Sequence, residues 1–185
     1  MNDIIYTQED IRWKNLPYPT ENAIVGNSGC GLFAVLHCIM EDHRYANYSP
    51  LDIYPHMLTH VIDETGTLQS GIAAALEHFG MRDVKWFKRQ KQVADAFREL
   101  DKGGRIGVLL LQDGNGPDGT VWTVYGHYIG FVDYRHENGE HLFLLKDSSK
   151  REHNGWYSFE RSMGDTLVHV WTCRPVNSCV RSSML

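Results

Sequence analysis

Three residues of the types used in nucleophilic catalysis occur along the chain in the order Cys30, His127 and Asp147. A cysteine attacks a carbonyl carbon only as its thiolate, and a free thiol is mostly protonated at neutral pH. A neighbouring histidine can take the thiol proton, and a carboxylate can hold that histidine in the required tautomer. These residue types therefore predict attack on an amide carbonyl through a thioester intermediate.

The element expected to position Cys30 is a helix that begins at this residue. The run CGLFAVLHCIMED has apolar residues at the i, i+3, i+4 spacing of a helix with one buried face. The positive end of a helix lowers the pKa of a thiol in its first turn. Gly29 and Gly31 are small enough to let a substrate carbonyl approach the sulfur, and the Cys30 amide is expected to face the developing oxyanion.

The general base is predicted to be His127, the best placed of ten histidines. It follows Gly126 at the start of an apolar strand in VYGHYIGFVDY, and Asp147 comes just after the next predicted strand, in FLLKDSS. Two antiparallel strands joined by a short turn bring such positions side by side. Taken singly, each of the three residues is more often structural than catalytic.

The remaining patterns predict a mainly helical first half and a second half made mainly of strands. Further helices are predicted from Ser49-Pro50 to about Asp63 with a break or kink at Pro55, over Leu68–Phe79 and over Gln90–Leu100. Strands are predicted over 105–111, 125–134, 141–146 and 168–173, with a turn at 113–119 and a hairpin at 136–139. Helices followed by an antiparallel sheet indicate an α+β fold.

The length of 185 residues indicates a single domain spanning 1–185. Within it we expect residues 1–29 to form an extended arm packed on the body, and residues 177–185 to form a frayed tail. The formal net charge is −5, with no basic stripe, which argues against a nucleic-acid partner. The apolar runs are too short for a membrane span.

The N-terminal segment MNDIIYTQEDIRW lacks the features of a signal peptide. This predicts a cytoplasmic protein, or a secreted or surface protein if a leader has been removed. Four cysteines are too few for a disulfide framework in a chain of this length, so reduced thiols are expected. Pairing of Cys173 with Cys179 stays open, and neither a cofactor nor a catalytic metal is implied.

Nearly the whole chain resembles the bacteriocin-leader-peptidase-like (double-glycine leader peptidase) family of papain-like cysteine peptidases. The N-terminal arm matches the family's Tyr-x-Gln-x-Asp-x-x-Trp pattern, and a small-residue loop then ends in Ser-Gly-Cys-Gly before a helix. The residues that carry these motifs are Tyr6, Gln8, Asp10 and Trp13, followed by Ser28, Gly29, Cys30 and Gly31. WTVYGHYIGFVDY is similar to the family's histidine strand, and LLKDSSKREHNGWYSFE to its aspartate segment. Leu32 replaces the usual proline, and Ser148 follows Asp147 where the family has Asp-Pro.

The resemblance implies a papain-like fold whose cleft lies between a helical half and a sheet half. It implies Cys30 as nucleophile, His127 as base and Asp147 as the orienting acid. Gln8, the only glutamine before Cys30, is expected to complete the oxyanion hole, and Asn27 is a second candidate donor. The partner implied is a peptide or protein substrate.

Two further residues are expected to line the substrate cleft beside His127. These are Trp122, which belongs to an aromatic cluster ahead of the histidine strand, and Gly126, which directly precedes His127. The pair His56 and His60 lacks the glutamate that a zinc protease places after its first histidine, and is interpreted as a pair of surface residues on a helix.

Three alternatives to peptide hydrolysis stay open. A transglutaminase or acyltransferase would use the same triad and pass the acyl group to an amine. A catalytically inactive papain-like module would bind a peptide or another protein. Cleavage of peptidoglycan cross-links would require export.

Overall fold

The computed structural model of this chain describes residues 2–19, 22–63, 66–88 and 92–177. The helices are α1 (Val25–Ser28), α2 (Cys30–Ile39), α3 (Pro50–His60), α4 (Gln69–His78) and α5 (Val93–Leu100). The strands are β1 (Ile62–Asp63), β2 (Gly66–Thr67), β3 (Arg82–Lys88), β4 (Ile106–Gln112), β5 (Gly126–Glu137), β6 (Glu140–Lys146), β7 (Gly155–Ser158) and β8 (Leu167–Arg174). The predicted α+β fold is confirmed. None of the helices in the described ranges combines the length and apolar character needed to cross a bilayer.

Six of the strands form one antiparallel sheet in the order β3-β8-β4-β5-β6-β7. Its centre is apolar on both faces, and β4 is buried from Ile106 to Leu111. Successive side chains of a strand point to opposite faces. Val108 and Leu110 accordingly join the core beneath α2, α3 and α4, whereas Leu109 and Leu111 join the core beneath α5. The sheet is therefore covered on both faces.

Helix α2 crosses the sheet at β5 and carries the largest share of the helical core. Nine of its ten residues are buried. The contact is close at Gly130, where an added Cβ would lie 3.1 Å from the carbonyl oxygen of Ala34 and 3.2 Å from Cβ of His37. This packing fixes the N terminus of α2 relative to the start of β5.

Helix α3 ends earlier than predicted. It starts at Pro50 after Ser49, whose backbone N–H donates to the Asp52 carboxylate over 2.7 Å, and it continues through Pro55 to His60. The residues after it pair with β2 instead, with Ile62 opposite Thr67. The prediction that the helix reaches Asp63 is wrong because this ladder takes the backbone groups that a further turn would use.

The sequence patterns missed the two-residue strands β1 and β2, and two strands of the six-stranded sheet, β3 and β7, which lie at its two edges. Strand β3 has the sequence RDVKWFK and is mostly exposed, and β7 has only four residues. Charged and short strands are typical of sheet edges, where they oppose pairing with other chains. Neither shows the long apolar run of a central strand.

The N-terminal arm packs along α2. The backbone N–H of Tyr6 donates to Nε2 of His37 over 3.1 Å, and the buried Trp13 donates from Nε1 to the carbonyl oxygen of Thr7 over 2.8 Å. Helix α1 lies within the predicted arm 1–29.

At the C-terminal end of the chain, residues 178–185, including Cys179, lie outside the described residues. Asn177 donates its backbone N–H to the Asp42 carboxylate. The single domain over 1–185, with an arm over 1–29 and a frayed tail over 177–185, stays a prediction.

Candidate active site

Cys30 is the first residue of α2 and follows Gly29 at the N-cap position. Its thiol is half-buried and accepts a hydrogen bond from the backbone amide of Gly31. The first amides of a helix have no partners within it, so they are available to an anion. A Cβ at Gly31 would lie 2.4 Å from Cγ2 of Thr67. Gly31 is therefore required for the contact between α2 and β2, in addition to any role in substrate approach.

His127 is the second residue of β5, and Asp147 directly follows β6. The pairing of Gly130 with Lys146 brings these strand ends together. Nε2 of His127 donates to Oδ1 of Asp147 over 2.9 Å, and both side chains are buried. This hydrogen bond leaves Nδ1 of His127 for Cys30, and the two groups shift each other's pKa.

The pKa shifts of Cys30 and His127 favour transfer of the thiol proton to the imidazole. Burial raises the pKa of the Cys30 thiol, but the hydrogen bond from His127 and its positive charge together bring that pKa below its ordinary value. Burial lowers the pKa of His127, but hydrogen bonds to Asp147 and Cys30 and the charges of those groups raise it to about 10. The site thus favours a thiolate next to an imidazolium.

The Asp147 carboxylate is fully buried and accepts several hydrogen bonds. Oδ1 accepts from the backbone N–H groups of Ser149 and Lys150 over 2.7 and 3.2 Å, in addition to His127. Burial raises the pKa of Asp147, but hydrogen bonds from His127 and His153 hold it well below its usual range. The carboxylate is therefore ionised when it orients His127.

His153 is the second histidine on this carboxylate, and the sequence patterns gave no indication of it. Its Nδ1 lies 3.1 Å from Oδ2 of Asp147, and the ring is buried. Trp122 packs against it with ring centroids 4.6 Å apart. His153 lies in a polar turn, SSKREHNG, so neither periodicity nor an apolar neighbourhood distinguishes it from a surface histidine.

Gln8 connects the arm to both parts of the site. Its Oε1 accepts from Oγ of Ser148 over 2.8 Å, and its backbone N–H donates to the Ser148 carbonyl over 2.9 Å. Its Nε2 lies 3.2 Å from the carbonyl oxygen of Gly26 and 3.5 Å from that of Val25. The side chain is buried between Ser148, which follows Asp147, and helix α1, which precedes Cys30.

The other three predicted site residues have different surroundings. The Asn27 side chain is exposed, and its Oδ1 accepts from the backbone N–H of Ile24 over 3.0 Å, which stabilises α1. Trp122 is 1% exposed and donates from Nε1 to the carbonyl oxygen of Ser162 over 2.6 Å. It contacts the triad through His153. Gly126 is exposed at the start of β5. Their roles in binding stay predictions.

The sequence patterns also gave no indication of two buried phenols near Cys30. The hydroxyl of Tyr18 lies 3.2 Å from Oγ1 of Thr67, and that of Tyr128 donates to the Thr67 carbonyl over 3.1 Å. Burial raises the pKa of both phenols, and the negative charge of Cys30 raises it further. They therefore stay protonated and hold β2 against the start of α2.

Comparison with known proteins identifies the fold. No protein-family model matches the chain, and no curated protein matches it. Among solved structures, it is similar to the peptidase domain of Streptococcus ComA, a bifunctional ABC transporter involved in a quorum-sensing pathway. The TM-score is 0.52 at 16% identity, over 80% of this chain and 92% of that one.

Two other solved structures show a weaker likeness. A putative peptidase from Bacillus anthracis matches with a TM-score of 0.48 at 10% identity, over 85% of this chain and 94% of the other. A double-glycine-motif protease from an AMS/PCAT transporter was solved in complex with the leader peptide. It matches with a TM-score of 0.42 at 12% identity, over 92% of this chain and 99% of the other. From the likeness to the ComA peptidase domain, the chain has a papain-like fold.

Proposed function

We propose that this protein is a cysteine peptidase that hydrolyses a peptide bond. The observation that carries the proposal is the 2.9 Å hydrogen bond between His127 and the buried Asp147, together with the electrostatic coupling of His127 to Cys30, which lowers the pKa of the thiol and raises the pKa of the imidazole. A thiolate, a general acid and base, and an orienting carboxylate are the groups required for thioester chemistry. The fold shared with the ComA peptidase domain supports the same activity.

In the acylation step, the Cys30 thiolate attacks the carbonyl carbon of the scissile amide and forms a C–S bond. The carbonyl oxygen becomes an oxyanion, which the Cys30 backbone N–H would stabilise, and which the Gln8 amide would also stabilise once its Nε2 turns away from the carbonyl oxygens of Gly26 and Val25. His127 then gives its Nδ1 proton to the amide nitrogen, the C–N bond breaks and the amine product leaves. Asp147 keeps the proton on Nε2 throughout.

In the deacylation step, neutral His127 takes a proton from water through Nδ1, and the hydroxide adds to the thioester carbonyl. The second tetrahedral intermediate collapses with cleavage of the C–S bond. This releases the carboxylic acid product and restores the thiolate and imidazolium pair. The proton that His127 gives to the leaving amine in acylation is therefore replaced by a proton from water in deacylation.

The segment that leads into His127 favours a substrate with apolar side chains. Val121, Val124 and Tyr125 are 43%, 65% and 83% exposed, although each is large and apolar. Exposed apolar groups next to a reactive centre are typical of binding surfaces. We therefore propose a peptide whose apolar residues contact this segment while its scissile bond lies at Cys30.

The proposal is tested by incubating the protein with a peptide library and identifying new N and C termini by mass spectrometry. We expect cleavage by the wild type, none by Cys30→Ala or His127→Ala, and unchanged cleavage by His60→Ala, a matched exposed histidine. Loss of activity in His60→Ala, or cleavage that persists in Cys30→Ala, would contradict the assignment.

The same experiment separates the two enzymatic alternatives from a binding role. With an added primary amine, an acyltransferase would give products that carry the amine, whereas a peptidase gives free carboxylic acids. An inactive binding module would give no products and would retain a bound peptide equally well in Cys30→Ala.

A further inference from the structure

A second group of metal-ligating side chains lies at the far end of β5 from the triad. Asp101 follows the last turn of α5, His136 lies near the end of β5 and His141 near the start of β6. One ligand atom from each lies within 4.8 Å of the other two. Among the residues that the structure describes, this is the only set of three or more with that property.

The hairpin geometry brings the two histidines together. His136 and His141 are directly opposite each other in the β5–β6 ladder, one pair away from the turn at Asn138 and Gly139. Both turn residues have positive φ, as a two-residue hairpin turn requires. Opposite residues of a ladder have Cβ atoms about 4.5–5.5 Å apart, which allows two imidazoles to reach one ion.

Neighbouring groups orient two of the three ligands. Nδ1 of His141 lies 2.6 Å from Oε1 of Glu160, and the backbone N–H of His141 donates to Oε2 over 2.9 Å. A carboxylate on one imidazole nitrogen fixes the tautomer and leaves the other nitrogen as a ligand, which is the usual arrangement around a protein-bound zinc ion. Oδ1 of Asp101 accepts from the Tyr134 hydroxyl over 2.7 Å and lies 3.5 Å from Nδ1 of His136, so the carboxylate already faces one of the two histidines.

We propose that Asp101, His136 and His141 bind one Zn²⁺ ion or a similar divalent transition metal, with water as the fourth ligand. Two imidazoles and one carboxylate are ligands that suit zinc and not magnesium. The ligand atoms must approach one another for binding. His136 is exposed and has to rotate away from the face of His141, where the ring centroids now lie 4.3 Å apart.

The proposed site is separate from the peptidase chemistry. His136 lies nine residues after His127 on the same strand, about 30 Å away at the rise of an extended strand. A bound ion would instead connect the end of α5 to the β5–β6 hairpin. The site is therefore expected to bind metal whether or not the protein is a peptidase.

The experiment is a titration of the metal-free, untagged protein with ZnCl2 by isothermal calorimetry. The Cys30→Ala background is used for every sample because a thiolate next to a histidine would itself bind zinc. We expect one equivalent of Zn²⁺ to bind and no Mg²⁺, with affinity at least about tenfold weaker in His136→Ala and in Asp101→Asn. His136 is exposed, so its replacement is expected to leave the fold intact, which circular dichroism checks.

The matched control is His56→Ala. His56 stacks on His78 with ring centroids 3.7 Å apart and belongs to another histidine cluster on α3 and α4, so its loss is expected to leave zinc affinity unchanged. The proposal is overturned if the wild-type site takes up no stoichiometric zinc. It is also overturned if His136→Ala binds zinc as tightly as the parent, or if His56→Ala weakens binding equally.

Discussion

Nδ1 of His153 lies 3.1 Å from Oδ2 of Asp147, the carboxylate oxygen that His127 does not use. Asp147 is therefore held between two histidines, and its orientation depends on both. A buried carboxylate that loses one of its hydrogen-bond donors is destabilised. We propose that His153 acts through Asp147 as a positioning residue.

Replacement of His153 by alanine is expected to weaken the Cys30–His127 ion pair without removing either residue. The rate at which Cys30 is alkylated at pH values below the pKa of a free thiol should fall about tenfold. The free energy of unfolding should fall by about 1–3 kcal/mol. His153→Gln, which retains a donor, should recover part of the rate. The measurement is iodoacetamide alkylation of Cys30 as a function of pH, followed by mass spectrometry.

The control for His153 is Glu152→Ala, because the Glu152 side chain is exposed in the same turn. It should leave the alkylation profile unchanged. A His153→Ala protein that is less stable but has the wild-type pH profile would limit His153 to a structural role.

Gln8 is predicted to stabilise the oxyanion, a role that alkylation does not require. Gln8→Ala should therefore alkylate at Cys30 at close to the wild-type rate but acylate about 10²–10³ times more slowly with an active ester. The measurement is the rate of Cys30 acylation by p-nitrophenyl acetate, compared with the iodoacetamide rate of the same sample. Equal losses in both rates would show that Gln8 only holds the arm against Ser148.

His37 is predicted to make the protein less stable in acid. It is fully buried, donates from Nδ1 to the Lys146 carbonyl oxygen and accepts from the Tyr6 N–H through Nε2. Burial, and to a smaller extent the positive charge of Lys146, lowers its pKa from 6.5 to about 3, against smaller opposite effects of the hydrogen bond to the Lys146 carbonyl and of the negative charge of Asp147. Between these values the unfolded chain binds a proton that the folded protein does not.

The contribution of His37 to the free energy of unfolding should therefore fall as the pH drops from about 6.5 towards 3. Urea unfolding at pH 7 and pH 5 measures it, and His37→Gln, which cannot titrate, should lose less stability between these two values. A variant with the same pH dependence as the wild type would show that other groups cause the acid sensitivity.

The parts of the fold that sequence predicted are those with strong local signals. Helix α2 has a clear apolar periodicity, β4 is an unbroken apolar run, and the turn at Asn138 and Gly139 joins two strands. The edge strands β3 and β7 lack such signals because an edge strand is partly exposed and charged or short. Their existence depends on pairing with β8 and β6, which no local pattern contains.

In the candidate site too, some residues are indicated by local sequence patterns and others are not. Cys30 and His127 could be proposed from sequence because each stands at the start of a regular element beside a glycine. His153 and Thr67 approach the triad residues only through the folded chain, one from an irregular turn and one from a two-residue strand. Contacts of this kind depend on how the elements pack, so residue type and spacing do not predict them.

The central claim is that Cys30 and His127 form a thiolate–imidazolium pair. As the pH falls, the thiolate is lost only below the lowered pKa of Cys30, and as the pH rises, His127 keeps its proton until its raised pKa of about 10. The most direct test is the pH dependence of iodoacetamide alkylation at Cys30 in the wild type and in His127→Ala. We predict rapid alkylation well below the free-thiol pKa of about 8.5 in the wild type, and loss of this acid-side reactivity in the variant. A Cys30 that titrates as an ordinary thiol in both proteins, or that reacts in neither, would contradict the account.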